Sequence, residues 1–378
     1  MKEGSWQAGV LCWLAIACVI LSACGCRNDG KTSGATRIKV AYIGLTCEAP
    51  IFVAYENGYF AEEGLEPEMV KTDWDGLREG LGLGRFDANH TLLMYLLKPI
   101  EQGLDVKITG GVHTGCLRLH VANNSALRSV KDLKGKKIGV PTHLGSPPHL
   151  FAARVLAANG IDPRVDKKDV TWVTFPGDLL GKAIEDGRVD AVATSDPIGT
   201  LLVGMGLVRT VADQAEDEPY RDEYCCVSVV SGKLARENPE TAAKVTRAIF
   251  KAAKWVEENT NAAARMAVEK KYIAASPELN AQALVKLRYV PGVDKCRKSI
   301  HEVAKEMIAA GLLPESCNAD QLAMRSWQHL DGVTDAWVQS LKMPERQMGA
   351  RPARLEPAAF AALWNGRCLC CARGCCLD

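Results

Sequence analysis

The sequence predicts an α/β protein made of two related halves, followed by a set of helices. Three observations predict it. A strand-loop-helix unit opening at Arg37 recurs at Lys136. The turn Gly84-Arg85-Phe86-Asp87-Ala88 is echoed by Gly187-Arg188-Val189-Asp190-Ala191. Beyond residue 230 the apolar pattern changes from strand-like runs to steps of three and four.

Taken in order, Arg37 to Gly44 (RIKVAYIG) is β-branched and apolar and breaks at a glycine into a polar loop. Pro50 is a favourable first residue for a short helix running to Asn57. Gly58 suits the position just past its end, Tyr59-Phe60 can tuck beneath it, and Leu65 to Val70 is the next strand. Lys136 to Val140 repeats the opening: an apolar strand, the polar loop Pro141 to Pro148, then an apolar-periodic helix over Leu150 to Asn159. Each copy of the echoed turn leads into a strand that delivers polar residues at its carboxyl end, Asn89-His90-Thr91 in one and Thr194-Ser195-Asp196 in the other. In open α/β sheets ligands bind at such ends. Asn238 is an N-cap with Pro239 behind it, and Ala242, Val245, Ile249, Ala252 and Val256 form one apolar face. Further helices are expected at Ala262–Tyr272, Pro277–Arg288, Lys295–Ala310, Ala319–His329 and Thr334–Leu341.

The two ends of the chain differ from this body. Gly9 to Leu21 is an uncharged apolar run, too short to span a bilayer core of roughly 30 Å. It fits the central region of a signal peptide over residues 1–23. Leu21-Ser22-Ala23-Cys24 resembles a bacterial lipoprotein box, which makes Cys24 the lipidation site and residues 24–36 a polar tether. The body is therefore expected outside the cytoplasmic membrane or in the periplasm, lipid-anchored. After Met343 periodicity is lost, and residues 343–378 read as a Cys-rich appendage to which no function is assigned.

Composition excludes several classes. With 46 Lys and Arg against 45 Asp and Glu, the net charge of +1 and the lack of a basic stripe argue against nucleic acid. No nucleophile elbow, phosphate loop, HExxH or paired-carboxylate motif is present, so neither an enzyme nor catalytic residues are expected.

Three segments together resemble the nitrate/sulfonate/taurine class of solute-binding proteins of ABC importers, in the NMT1-like superfamily. They are Glu56-Asn57-Gly58-Tyr59-Phe60 with Glu63-Gly64-Leu65, Ser129 to Pro141 (SVKDLKGKKIGVP), and Gly187 to Ala191 followed by Asp196-Pro197. The resemblance spans about Arg37 to Lys342 and implies a type II periplasmic-binding-protein fold. Two lobes would close on a small solute, an oxyanion, sulfonate or small organic or heterocyclic compound, and a monomer would hand it to an ABC permease. Lobe one would comprise 37–121 and about 225–342, with C-terminal helices packed on the lobes, and lobe two about 122–224. The class's ligand loops fall here on Thr46, Cys47 and Glu48, on Trp74, on His90 and Thr91, on His113, Thr114 and Cys116, on His143 and Ser146, on Asp196, and on Tyr224 and Cys225. Helix N-termini behind Pro50 and Pro147 would offer N–H groups to an anion.

The cysteines depart from that pattern. Of 15 in the chain, Cys47, Cys116, Cys225 and Cys226 fall in three of these loops, with His90, His113 and His143 in others. No cofactor is required of a solute-binding protein, yet these residue types are ligands for soft metals, and four converging thiols meet the count of an iron–sulfur cluster. Disulfides are the alternative in an exported chain, including Cys296 with Cys317. Adjacent Cys225 and Cys226 point to opposite faces if extended, so both serve one site only with a local irregularity. A competing reading is an enzyme on the same fold, similar to the fungal synthase of the thiamine pyrimidine. Its longer cysteine run is reduced here to Cys225-Cys226.

Overall fold

A computed structural model describes residues 34–343. Cys24, the apolar leader and the cysteines of the tail lie outside the described residues. The strands form two five-stranded mixed sheets. The first is ordered β2 (Leu65–Lys71), β1 (Thr36–Tyr42), β3 (Ala88–Leu92), β10 (Tyr224–Ser231), β4 (Val106–Thr114). The second is ordered β7 (Thr171–Phe175), β6 (Lys137–Pro141), β8 (Ala191–Ser195), β5 (Leu117–Ala122), β9 (Val208–Asp213). The orders are equivalent: β1 and β6 open each half, and β10 and β5 run antiparallel in corresponding places.

The echoed turns do the same work in both sheets. The Asp87 carboxylate accepts the Lys39 backbone N–H at 2.7 Å, and the Asp190 carboxylate accepts that of Lys137 at 2.8 Å. Each aspartate thereby locks the start of the first strand of its half to the strand it precedes. Gly84 and Gly187, at φ +66° and +67°, supply the left-handed residue each turn needs.

Because β5 belongs to the second sheet, the chain leaves the first one at Gly115-Cys116, earlier than the boundary near 121 expected from sequence. It returns through residues 214–223 into β10. Helix α1 (Ala49–Glu56) carries Pro50 in its first turn and buries Ala49 through Ala54. Helices α2 (Trp74–Gly82) and α3 (Leu93–Glu101) follow β2 and β3, and α4 (Pro147–Ala158) follows β6. The later helices α5 (Pro239–Glu258), α6 (Thr260–Glu269), α7 (Pro277–Leu284), α8 (Asp294–Ala309), α9 (Ala319–Ser326) and α10 (Asp335–Ser340) cover the sheets. All five residues of the expected apolar face of α5 are buried, and Asn238 caps it by accepting the Thr241 N–H at 3.0 Å.

Three helices end three or four residues sooner than periodicity predicts: α6 stops at Glu269 ahead of a left-handed Lys271 (φ +62°), and α7 and α9 stop for tertiary reasons. Beyond α7, Arg288 and Gly292 bridge back to Thr114 and Gly111 of β4, and Glu257 accepts the Tyr289 N–H. Beyond α9, Trp327 bridges to Ile108. Among the described residues no helix is long and apolar enough to cross a membrane.

Candidate functional site

The site grows from four pieces of chain. The turn Thr46–Glu48 precedes α1, β3 carries Asn89, His90 and Thr91, the end of β4 carries His113, and the first residues of β10 supply Cys225 and Cys226. Gly115, at φ +76°, turns the chain so that Cys116 follows directly. Cys47, Cys116, Cys225, Cys226 and Cys296 are buried and Cys317 is half-buried; all six are unpaired, so none of the disulfides weighed from sequence is formed.

The vicinal pair converges because β10 is irregular where it meets β4. Tyr224 faces Thr114, Cys226 faces His113 and Val227 faces Gly111, so Cys225 is the extra residue of a bulge. A regular strand would send the two side chains apart; here their sulfurs are 4.0 Å apart. The sulfurs of Cys116, Cys225 and Cys226 all lie within 4.8 Å of one another, as do those of Cys47 and Cys226 with a ring nitrogen of His113. The Cys116 thiol is pushed well below its ordinary range by hydrogen bonds from Cys225, Cys226 and Cys47. Burial pushes Cys225 and Cys226 up, and the hydrogen bond with Cys116 does the same to Cys47. Of the four, Cys116 is the thiol that gives up its proton most readily.

Two imidazoles adjoin these sulfurs. His90 and His113 meet edge to face at 5.2 Å between centroids, and Tyr289 lies against His113 at 5.0 Å. Burial holds both histidines below their ordinary range, hence neutral at pH 7. Nδ1 of His113 is 3.4 Å from the Thr114 carbonyl, which can only accept, so Nδ1 carries the proton and Nε2 presents a lone pair. That Nε2 has no protein partner. Neither ring nitrogen of His90 has one, nor do Asn89 Oδ1, Thr91 Oγ1, Ser146 Oγ and Gln214 Oε1, all buried. Ser146 stands at the N-terminus of α4, where its hydroxyl caps nothing.

Other expected site residues turn inward. Thr46 donates to Asn280 Oδ1 at 2.8 Å. Glu48 collects the N–H groups of Ile43, Gly44 and Leu45 at 2.7–3.2 Å and so shapes the first loop. Asp196 is fully engaged: one oxygen takes Arg118 at 2.5 Å, the other the backbone N–H and hydroxyl of Thr200. Arg118 also pairs with Asp213 at 3.2 Å. Trp74 is half-buried against Tyr95 at 4.9 Å, and His143 is half-exposed beside the Thr142 hydroxyl. Thr114 and Tyr224 line an open cleft of about 350 Å³ with Arg288, Lys295 and Asp335; the thiols and the unpartnered groups lie elsewhere. Tyr289, Asn280, Arg118 and Gln214 were not singled out from sequence. Only the Pro291-Gly292 pair signalled that the chain near Tyr289 leaves its helix.

The model of the NMT1-like family matches residues 31–270. The nitrate/nitrite-binding protein NrtA of Synechococcus elongatus is 26% identical over 311 residues, covering 70% of this chain and 69% of that protein. A putative aliphatic sulfonates-binding protein of Bacillus subtilis is 26% identical over 260 residues, covering 66% and 75%. The 4-amino-5-hydroxymethyl-2-methylpyrimidine phosphate synthase THI5 of Saccharomyces cerevisiae is 24% identical over 246 residues, covering 61% and 68%. Among solved structures, the alkanesulfonate-binding protein SsuA of Xanthomonas axonopodis pv. citri superposes with a TM-score of 0.61 at 21% identity, over 77% of this chain and 98% of that one. The architecture is the periplasmic-binding-protein fold.

Proposed function

Since the chain belongs to the NMT1-like family, with relatives that bind solutes for ABC importers, we propose that it captures a small solute between its two sheets and presents it to an ABC permease. The observation that carries this reading is the set of buried, unpartnered polar groups on Asn89, His90, Thr91, His113, Ser146 and Gln214. An unsatisfied buried polar group costs about 1–3 kcal/mol. A chain that keeps six such residues along the strand ends of both sheets retains them for a ligand. The neutral His90 imidazole offers one donor and one acceptor, His113 offers its Nε2 lone pair, and Ser146 adds a hydroxyl at a helix N-terminus, where negative charge is favoured. That set suits a small oxyanion, a sulfonate or a polar heterocycle. Contacts from both halves favour the closed form, which the permease recognises. The protein acts as a monomer tethered through a lipid on Cys24, so it should partition with membranes and Cys24→Ala should leave it unprocessed.

The test is mass spectrometry of gently purified protein, followed by calorimetry with the solute recovered. A stoichiometric small molecule is expected, and His90→Ala should weaken its binding about tenfold or more, the loss of one or two buried hydrogen bonds. Empty protein that binds no nitrate, sulfonate or heterocycle would overturn the reading. The buried Cys and His cluster, together with the yeast synthase relative, favours a second reading as an enzyme. Turnover in the presence of iron, with no solute recovered intact, is its signature.

A further inference from the structure

We propose that Cys116, Cys225 and Cys226, with Cys47 or His113 as the fourth ligand, form a buried site for a single thiophilic metal ion of the copper(I) and zinc(II) class. Three sulfurs lie within 4.8 Å of one another, and Cys226 belongs to both triads. Metal–thiolate bonds of about 2.3 Å place two sulfurs on one tetrahedral ion about 3.8 Å apart. The 4.0 Å between Cys225 and Cys226 is already close to that spacing, and small side-chain rotations close the rest. A cubane cluster binds its four thiolates on four separate irons and needs them more widely spread.

The donor set is soft throughout. It holds thiols and one imidazole and no carboxylate, because the nearby acids are committed elsewhere, Glu48 to three backbone N–H groups and Glu223 to Arg154. Oxygen-preferring ions such as magnesium and calcium are poorly served by it. His113 is prepared as a ligand by its neighbour: the Thr114 carbonyl holds the Nδ1 proton and leaves the Nε2 lone pair free, the arrangement that orients metal-bound histidines. The bulge at Cys225 also gains a reason, since it brings two adjacent side chains to one point. Cys296, buried alone in α8, shows the contrasting case of an ordinary core thiol.

The placement of the buried sulfurs and His113 is independent of any solute. Full-length protein without a chelating tag is purified anaerobically, stripped, loaded separately with zinc(II) and copper(I), dialysed and assayed for metal. About one equivalent that depends on the cluster is expected, and cobalt(II) should give thiolate charge-transfer bands in the near ultraviolet. Cys226→Ser, which touches both triads, should abolish that equivalent, while Cys296→Ser leaves it in place. Metal retained by Cys226→Ser but lost when Cys368, Cys370, Cys371, Cys375 and Cys376 are replaced would assign it to the tail and overturn the proposal, as would wild type that holds neither ion. If circular dichroism shows Cys226→Ser unfolded, alkylation of wild type decides. Metal must protect Cys116, Cys225 and Cys226, and equal labelling with and without it overturns the proposal. Metal without any solute would sink the proposed transport function alone; solute without metal would sink this site alone.

Discussion

Glu48 is almost completely buried, and its carboxylate gathers three backbone N–H groups of the loop before α1. Burial outweighs those donors and raises the carboxyl to about 7, above the ordinary 4.5. The folded chain thus holds this proton more tightly than the unfolded chain. The contribution of Glu48 to stability is complete below pH 4.5 and declines as pH rises through 7. Glu223 is raised to about 7 as well, by burial and the nearby Glu306, and acts in the same direction. From the size of the shift, Glu48 alone accounts for up to about 3 kcal/mol lost between pH 4.5 and 8. Urea unfolding across that range should show declining stability, and Glu48→Gln should flatten the decline while lowering stability modestly throughout, since the amide keeps only one acceptor oxygen. A profile of unchanged slope in Glu48→Gln would show that the carboxyl does not titrate in this window.

Among the elements, the most consequential tie is the side chain of Arg154 on α4. It is fully buried and donates to both oxygens of Glu223 at 2.9 Å and to Glu306 on α8 at 2.5 Å. A helix of the second half is thereby fastened to the chain entering β10 and to a helix packed on the first. The guanidinium is stabilised by two carboxylates, while Glu223 is still pushed up, because two acids share one cation in a buried place. Arg154→Met should cost about 3–5 kcal/mol in urea unfolding, the penalty of stranding a buried charge. Adding Glu223→Gln should recover part of that, and a loss under about 1 kcal/mol would mean that water reaches the pair. At this same scale the sequence was informative where order is local. The strands, the Pro-started helices, the Asn238 cap and the two Gly-Arg-x-Asp-Ala turns are written in contiguous residues. It was silent where order comes from across the fold. Trp327 leaves its helix to meet Ile108, and the bulge at Cys225 depends on the register of β4. In the site, the loops bearing the cysteines and histidines could be named from sequence. That Thr46 and Asp196 face inward could not, because Asn280 and Arg118 lie 234 and 78 residues away.

At the scale of the whole molecule, two copies of one sheet plan exchange a strand. The first half contributes β5's approach through residues 115–116, and the chain returns through residues 214–223. The thiol cluster lies on these crossings: Cys116 sits in the first, and Cys225 and Cys226 begin the strand after the second. If the halves open about these crossings, the segments that bend are the ones that hold the sulfurs. The two crossings also touch each other. Gly115 has φ +76°, and a Cβ there would fall 2.6 Å from the Cβ of Ala215. Gly115→Ala therefore meets two penalties, a left-handed backbone that alanine resists and a contact that forces the crossings apart, together roughly 2–4 kcal/mol. If closure bends here, the variant should also bind solute more weakly than its lost stability explains. Small-angle scattering should show wild type contracting when solute is added and Gly115→Ala contracting less. Contraction and affinity equal to wild type, in a variant that is merely less stable, would place the hinge away from Gly115 and confine this glycine to packing.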